Sequence, residues 1–466
     1  MPDLPWQGDA CSLVDAFRRG EHHPVDELDA VLAAIERSEL NAFCHLDPDA
    51  ARRRAAGTDV SLPFGGVPIG VKELDSVAGW PDTHASVPLR HQVADVTSTM
   101  VERMTDRGGA VPVGQTTASE FGGVNLTRTV LHGVTRNPWD PERTPGGSSG
   151  GTASAVAGGL LTLATAGDGG GSIRIPAGFT GLVGLKATFG RIPRSPRAGY
   201  GNLTVTVGCL SRSVRDTARW FDLCSGHDPR DPLSLPERTN WESGLGSHLG
   251  DLRHLRVAVV PDWGGATVSP TMWTLLDAAA GELIADAGLT RVEGVDTSLP
   301  RMGAAWSISG MIAIAAQLGD AWPACAADLT PEIRSGLEAT AGLYSAESRA
   351  RIEARRVDLN EAMARIFDQV DLVITASNPD VAFAAAGPLP ATFGGLHAGA
   401  GNNGRLTFPA NLYGNPAISV PAGHLDGMPI GLQVVGRHFS EPLLLDLAWL
   451  TERERPWPLV APGAPR

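Results

Sequence analysis

Lysine is almost absent from this chain of 466 residues. Lysine and arginine together number 38, yet only Lys72 and Lys186 are lysines. A basic surface for nucleic acid is also lacking, because the formal net charge is −13 and no run rich in lysine or arginine offsets it locally. Lys72, in the stretch GGVPIGVKELD at 65–75, therefore raises the question of what a lysine supplies there that an arginine cannot.

Metal-ligand spacing, signal-peptide features and long apolar runs are lacking too. No CxxC pair occurs among the five cysteines, which indicates reduced thiols in a cytoplasmic protein; they are Cys11, Cys44, Cys209, Cys224 and Cys325. The histidines show no ligand spacing, so we expect no metal site and no cofactor. The N-terminus has neither a basic nor an apolar signal region, and AVAGGLLTLATAG is too short and too broken by glycine to span a bilayer. We therefore expect no membrane partner.

The pattern of apolar residues predicts an α/β protein with a mixed sheet. Residues 11–56 have helical spacing, and VPIGVKELD predicts a short strand with Lys72 at its far end. Apolar runs rich in β-branched residues at 254–262 and 371–377 alternate with helical segments, and PAISVPAG and IGLQVVG predict a late strand pair. We expect one continuous domain over 1–466, in which residues 236–360 form a mainly helical peripheral cap.

Two clusters of glycine and serine stand out, TPGGSSGG at 144–151 and GDGGGSIRIP at 167–176. Such clusters often form only loops, and a phosphate-binding loop is a poor match because neither contains a lysine. In the second cluster, three glycines before Ser172 allow several N–H groups to converge on one point, as an oxyanion hole beside a serine nucleophile requires. No histidine lies between His132 and His227, so the base would have to come from elsewhere.

The first cluster offers an alternative nucleophile. Residues 147–151 satisfy G-x-S-x-G with Ser149 at the centre, which is the pattern of a nucleophile elbow. This hypothesis needs a strand directly before the serine, and NPWDPERTPG is a poor strand. It also needs a triad histidine, and nothing local distinguishes His397, His424 or His438. An esterase using Ser149 stays an alternative at this stage.

The order of several motifs resembles the amidase signature family. These motifs are VPIGVKELDSVAG, EFGGVNLTRTVLHGVTRNPWDPERTPGGSSGGTASAVAGG, GDGGGSIRIPAGFTGLVGLKATFGR and FPANLYGNPAISVPAGHLDGMPIGLQVVGRHF. The resemblance covers most of residues 11–235 and 365–455 and leaves the middle poorly matched. It implies a central mixed β-sheet covered by helices on both faces, and an amidohydrolase activity.

The resemblance also implies a catalytic triad of two serines and a lysine. Ser172 matches the nucleophile, Ser148 the bridging serine after a cis peptide bond, and Lys72 the general base. The oxyanion hole would be formed by the amides of Gly169, Gly170, Gly171 and Ser172. A base must be neutral to accept a proton, and burial can lower the pKa of a lysine by several units, whereas an arginine stays charged. This requirement would explain the lysine at position 72.

Other residues near the triad are expected to have supporting roles. Asp168 and Arg174 flank the nucleophile and could pair to brace the loop rather than contact substrate. Ser149 could form a hydrogen bond within the first cluster. Lys186 matches a family segment to which we assign no catalytic role, so we expect an ordinary surface charge there.

Several departures from the family pattern bear on the substrate. Many members read GTDTGGS where residues 166–172 read AGDGGGS, which exchanges two threonines for glycines and keeps the backbone donors. The A subunit of tRNA-dependent amidotransferases usually has glutamine where Ile175 stands. The segment GGVNL (122–126) is expected to line the acyl pocket beside GYGNLTVTVG (199–208), where the small residues Gly123 and Val124 leave room for a bulky group. An apolar wall could come from Trp306, Met311 and Ile312.

The sequence therefore predicts a stand-alone serine amidohydrolase that cleaves the C–N bond of a small amide, anilide or carbamate through an acyl-enzyme. The alternative from another class is a glutaminase subunit of an amidotransferase complex. We expect a small-molecule substrate and no nucleic-acid partner, and a homodimer stays open.

Overall fold

The computed structural model describes residues 4–199, 201, 203–300 and 304–466, with the helix backbone alone for 304–307. The strands are β1 (Phe43–Leu46), β2 (Pro68–Lys72), β3 (Val111–Thr116), β4 (Arg128–Thr129), β5 (Gly133–Val134), β6 (Leu163–Asp168), β7 (Gly184–Lys186), β8 (Thr206–Ser211), β9 (Arg256–Val259), β10 (Thr290–Arg291), β11 (Leu372–Ala376), β12 (Thr392–Phe393), β13 (Leu396–His397), β14 (Ala417–Leu425) and β15 (Met428–Gly436). The helices are α1 (Ala10–Arg18), α2 (Pro24–Arg37), α3 (Pro48–Ala56), α4 (Thr99–Glu102), α5 (Gly150–Ala157), α6 (Arg174–Thr180), α7 (Val214–Cys224), α8 (Leu249–Leu252), α9 (Pro270–Ala287), α10 (Ala304–Leu318), α11 (Pro331–Thr340), α12 (Ala346–Gln369), α13 (Phe408–Tyr413) and α14 (Glu441–Glu454).

The main strands form two sheets that adjoin. A five-stranded sheet has the order β1-β3-β2-β6-β8, and a six-stranded sheet has the order β10-β9-β11-β15-β14-β7. Val183, just before β7, exchanges antiparallel backbone hydrogen bonds with Ser211 at the end of β8, so the two sheets are continuous at this point. β2 is parallel to β3 and β6, whereas β6–β8 and β11–β15–β14 are antiparallel. The predicted mixed sheet and the late strand pair are confirmed.

Helices pack against this sheet through two apolar cores. One core lies between the sheet and α1, α7, α9, α12 and α14. A second lies between the sheet and α2, α3 and α5. Among the described residues, no helix combines the length and the apolar character that crossing a membrane requires.

The middle of the chain is less peripheral than the sequence suggests. β9 pairs with β11 inside the six-stranded sheet, and α9 buries Met272, Leu276 and Leu283 in the larger core. Both elements fall within the range 236–360 that was expected to form a cap. A separate small core has Ile314 and Ile333 among its buried members and joins α10, α11 and the turns near them to Phe121. We use the name cap for α10, α11 and those turns.

The parallel strands β2, β3 and β6 end at the same side of the five-stranded sheet, so their carboxyl ends lie along one edge of it. Lys72 is the last residue of β2, Thr116 pairs with it at the end of β3, and Asp168 ends β6. The amino end of α5 meets the same edge, where the Gly151 N–H donates to the Thr117 carbonyl at 2.9 Å. A Cβ on Gly151 would lie 2.4 Å from the Thr117 nitrogen, so the close approach of α5 requires glycine. Such an edge is a common location for ligand sites in α/β proteins.

Candidate active site

Lys72 is held between two serines of the first glycine and serine cluster. Its Nζ atom lies 2.8 Å from Oγ of Ser148 and 2.8 Å from Oγ of Ser149. The Lys72 N–H donates to Oγ1 of Thr165 at 2.7 Å, and that hydroxyl donates to Asp75. The lysine is only 2% exposed, so strand pairing and burial together fix its position.

The surroundings of Lys72 favour its neutral form. Burial lowers the pKa of Lys72 to about 8, although the carboxylates of Asp75, Asp168 and Glu73 act to raise it. A lysine with this pKa is neutral in a substantial fraction of molecules at mildly alkaline pH and can then accept a proton. An arginine at this place would remain charged.

The first cluster has the backbone form that the resemblance implies. The peptide bond between Gly147 and Ser148 is cis. The hydroxyl of Ser149, besides accepting from Lys72, donates to the Gly167 carbonyl at 3.3 Å and so links this cluster to β6. Ser149 therefore has the contacts of a supporting residue.

The nucleophile-elbow hypothesis for Ser149 is wrong. Residues 144–149 form loop and bends and no strand, whereas an elbow needs a strand directly before the serine. The hydrogen-bond partners of the Ser149 hydroxyl are Lys72 and Gly167, and no histidine takes part. An esterase based on this residue does not fit the geometry.

Ser172 lies in the turn between β6 and α6, where Asp168 organises the backbone. The Gly171 N–H donates to Oδ1 of Asp168 at 2.7 Å, and the Ile173 N–H donates to Oδ2 at 3.2 Å. Gly171 is therefore not the free oxyanion donor that we expected, because its N–H is directed at a carboxylate. Within the described part of the chain, the N–H groups of Gly169, Gly170 and Ser172 have no hydrogen-bond acceptor.

The hydrogen bonds of the described residues do not include one between the hydroxyls of Ser148 and Ser172, which the expected triad requires. Lys72 to Ser148 is in place, whereas Ser148 to Ser172 stays a prediction. Ser172 is 6% exposed, so it lies at the border between the core and solvent.

Asp168 and Arg174 form a fully buried ion pair that braces the loop. The guanidinium lies 3.0 Å (Nε) and 2.9 Å (Nη2) from the two carboxylate oxygens. Its other N–H groups donate to the Thr407 carbonyl and to the side chains of Gln433 and Asn411. Burial raises the pKa of Asp168, but Arg174 and Asn411 more than offset this and hold that pKa well below its usual range. Because both side chains are fully buried, the bracing role agrees with the geometry better than substrate contact does.

Comparisons with known proteins identify the family of this chain. A family model described as Amidase matches residues 26–445. The chain belongs to the amidase signature family.

The proteins that this chain resembles include amidotransferase subunits and hydrolases. It is 32% identical to the A subunit of glutamyl-tRNA(Gln) amidotransferase from Chloroflexus aggregans over 97% of each chain, and 32% identical to the same protein from Methanosarcina acetivorans over 91% of this chain and 92% of the relative. Among solved structures, a bacterial aryl acylamidase of the amidase signature enzymes superposes with a TM-score of 0.88 at 26% identity over 97% of both chains. The A subunit of the amidotransferase from Thermotoga maritima superposes with a TM-score of 0.74 at 26% identity over 94% of both chains.

Of the two expected pocket residues, Gly123 lies against the cap. A Cβ on Gly123 would lie 2.6 Å from Cδ1 of Ile333, and Val124 is buried. Met311 packs on the same small core as Ile333, whereas Ile312 is not a member of that core. The Trp306 side chain lies outside the described residues, as do Tyr200 and Asn202 of the segment 199–208. From that segment, Val205 packs against Gly169: a Cβ on Gly169 would lie 3.1 Å from Cγ2 of Val205.

Three residues without an assigned contact lie against the two glycine and serine clusters: Gly122, which was expected only as part of the pocket segment, and Thr407 and Phe408, which sequence reasoning missed. Gly122 has φ +68°, and a Cβ there would lie 3.4 Å from Oγ of Ser148. The Phe408 ring covers Gly170, where a Cβ would lie 3.1 Å from Cε1, and Oγ1 of Thr407 donates to the Gly170 carbonyl at 2.6 Å. The motifs EFGGVNL and FPANLYG contain Gly122 and Phe408 and adjoin Thr407, so the signal was present in the sequence.

The prediction that Lys186 is a surface charge is wrong. Lys186 ends β7 with 0% exposure, and its Nζ donates to the Ala187 carbonyl at 2.9 Å. Burial, assisted by the nearby Arg174 charge, lowers the pKa of Lys186 to about 7. Both lysines of the chain are therefore buried and have a lowered pKa.

One group of potential metal ligands lies beside the end of β2, next to Lys72. Cys44, Glu73 and His132 come from three distant segments, and their ligand atoms lie within 4.8 Å of one another. The expectation of no metal site was based on spacing along the chain, which does not detect such a group.

Proposed function

We propose that this amidase hydrolyses the C–N bond of a small amide through an acyl-enzyme on Ser172. The observation that carries the proposal is the buried Lys72, whose pKa is lowered to about 8 and whose Nζ lies 2.8 Å from the Ser148 hydroxyl. A buried amine of this kind, beside the glycine-rich turn that carries Ser172, is suited to act as a general base.

The proposed reaction combines the observed contact between Lys72 and Ser148 with the expected contact between Ser148 and Ser172. Neutral Lys72 takes the proton of Ser148, which takes the proton of Ser172, while Oγ of Ser172 forms a bond to the amide carbon. The N–H groups of Gly169, Gly170 and Ser172 are the free donors for the resulting oxyanion. The C–N bond then breaks, the leaving nitrogen receives the proton through Ser148, and the ester is hydrolysed by water that is deprotonated along the same path.

For the substrate, we propose a stand-alone hydrolase acting on an amide with an apolar or aromatic group. The apolar core of the cap adjoins Gly123 and includes Phe121, Ile314 and Ile333, which supports an apolar site next to Ser148. Structural relatives named as an aryl acylamidase and as 6-aminohexanoate cyclic dimer hydrolase (TM-score 0.84, 26% identity) are consistent with such substrates. An anilide fits this description, and a carbamate would follow the same acyl-transfer route.

The second candidate is a glutaminase component of an amidotransferase complex. The curated relatives at 30–33% identity carry the name of the amidotransferase A subunit, and they favour this candidate over a stand-alone hydrolase. The buried Ile175, which packs with Phe179 and Met428, stands where that protein usually has a polar glutamine. The triad chemistry is the same for both candidates, so they differ in the acyl group and in the need for a partner.

One assay separates the two candidates. The purified chain alone is given a chromogenic anilide and, separately, glutamine, with Ser172→Ala as the control in both reactions. A stand-alone hydrolase releases the aromatic amine without any partner, and the Ser172→Ala variant does not. Release of ammonia from glutamine with no anilide cleavage would favour the amidotransferase component. Full activity of Ser172→Ala on either substrate would contradict the triad assignment.

A further inference from the structure

Three potential metal ligands converge beside the sheet edge that carries Lys72. Cys44 lies in β1, Glu73 directly follows β2, and His132 lies in the turn between β4 and β5. Oε2 of Glu73 is 3.3 Å from Sγ of Cys44 and 2.9 Å from Nε2 of His132. The triad does not use any of the three side chains.

The separations of these atoms suit a tetrahedral ion. Zinc binds thiolate sulfur at about 2.3 Å, imidazole nitrogen at about 2.0–2.1 Å and carboxylate oxygen at about 2.0–2.2 Å, so its donor atoms lie roughly 3.3–3.6 Å apart. The two measured separations, 2.9 and 3.3 Å, need only a small adjustment to reach this range. Thiolate together with imidazole is a ligand set that selects zinc over calcium or magnesium.

The imidazole of His132 has a nitrogen without a hydrogen-bond partner. Its Nε2 is buried, and although Glu73 is close, the two groups do not have the alignment of a hydrogen bond. Within the part of the chain that the structure describes, Nε2 has no other acceptor or donor. A buried polar nitrogen of this kind is costly unless a ligand satisfies it.

The backbone positions of the three ligands are fixed independently of any ion. Asn41 has its amide Nδ2 2.7 Å from the His132 carbonyl, which holds the turn against the start of β1. The other oxygen of Glu73, Oε1, accepts from the Ala118 N–H at 2.7 Å and so orients the carboxylate. A held carboxylate is typical of the outer contacts that orient metal ligands.

The geometry points to a binding site for one zinc ion on Cys44, Glu73 and His132, with water as the fourth ligand. Cys44 borders a cavity of about 900 Å³ between α2, β1 and α3, which provides a route for the ion from solvent. On binding, the thiol of Cys44 releases its proton to solvent and the sulfur lone pair forms the bond to the metal. The proposed reaction uses none of the three side chains, although the Glu73 carboxylate acts to raise the pKa of the adjacent Lys72. Zinc binding itself can therefore be tested whether or not the proposed function is correct.

Cobalt(II) titration of the chelator-treated full chain tests the site directly. We expect one equivalent to produce a thiolate-to-cobalt charge-transfer band together with the strong visible bands of a four-coordinate centre. Cys44→Ala should abolish the charge-transfer band, whereas Cys325→Ala, which removes the other partly exposed cysteine, should retain it. Absence of the band in the wild type, or its survival in Cys44→Ala, would overturn the proposal.

A second measurement keeps the test decisive if Cys44→Ala folds poorly. In the Cys325→Ala variant the remaining partly exposed thiol is Cys44, because the other cysteines are buried. Zinc alone should slow alkylation of Cys44. His132→Ala should raise the zinc concentration needed for half protection at least about tenfold, because even the loss of a residue that only orients a ligand commonly weakens metal affinity by that factor. Equal alkylation rates with and without zinc would show that the three side chains only contact one another.

Discussion

The Nζ atom of Lys72 lies 2.8 Å from the Oγ atom of Ser148, although 76 residues separate them along the chain. The contact forms because β2 ends at the edge of the sheet where the first glycine and serine cluster turns into α5. It places an amine with a lowered pKa against a hydroxyl that can pass on a proton. The predictions below are based on this contact and on the groups that surround it.

Replacing Lys72 should remove the base and leave the fold intact. Lys72→Met keeps an unbranched apolar chain in the buried space but cannot accept a proton. We expect kcat for amide cleavage to fall by about 10²–10⁴, the usual contribution of a general base. Lys72→Arg should be equally inactive because arginine stays charged. Steady-state kinetics with a thermal-unfolding control check this, and an active Lys72→Arg would contradict the role of the neutral amine.

The pH dependence should follow the protonation state of Lys72. The base works only when it is neutral, so kcat/KM should be low below its pKa, rise with pH through about 8 and level off above it. The profile is measured with an uncharged anilide so that the substrate itself does not titrate. A rate that falls as pH rises through this range would mean that a protonated group is required instead.

We expect Gly122→Ala to lower kcat, whereas the same substitution at a glycine with open space around it should not. At φ +68° an L residue is strained, and the Cβ of Gly122→Ala would touch Oγ of Ser148 at 3.4 Å and crowd Cδ1 of Leu74 at 3.1 Å. Gly79→Ala is the matched control, because Gly79 has φ +87° and nothing lies within 4 Å of its Cβ position. Both variants should lose about 1 kcal/mol of stability, but only Gly122→Ala should lower kcat. Equal kcat values for the two variants would contradict the contact with Ser148.

We expect the buried Lys186 to lower the free energy of unfolding at low pH. Its pKa is lowered from 10.5 to about 7, so between these values the unfolded chain holds a proton that the folded chain lacks. The free energy of unfolding should therefore rise with pH across this window, and the penalty should be fully present below about 7. Lys186→Met should be more stable than the wild type in mild acid, and this difference should shrink as pH rises towards 10. Denaturant unfolding at several pH values measures it, and a difference independent of pH would contradict the account.

The contact between the cap and the catalytic loop should control substrate affinity. The buried Glu120 accepts from the Thr330 N–H at 2.8 Å and from its hydroxyl at 2.6 Å, at the start of α11. Thr330→Val removes the second bond at nearly constant volume and should raise KM for an apolar anilide more than it lowers kcat. Glu332→Gln is the control variant, because it breaks a partly exposed ion pair with Arg128 that also lies at α11. This variant should change KM little. A larger effect of Glu332→Gln would place the control of affinity elsewhere.

The local parts of the fold and site could be predicted because they follow from short patterns. The strand that ends at Lys72 and the late strand pair, β14 and β15, each follow from a short apolar pattern. Other features depend on contacts between distant segments, which one sequence does not reveal. The use of the Gly171 N–H by Asp168 and the burial of Lys186 are of this kind.

The most direct test of the account is the site of reaction with a serine-directed fluorophosphonate, located by peptide mass spectrometry. The account predicts a single adduct on the peptide that contains Ser172, and a labelling rate that falls strongly in Lys72→Met. An adduct on Ser149, or unchanged labelling of Ser172 without the lysine, would contradict the claim that Lys72 activates Ser172.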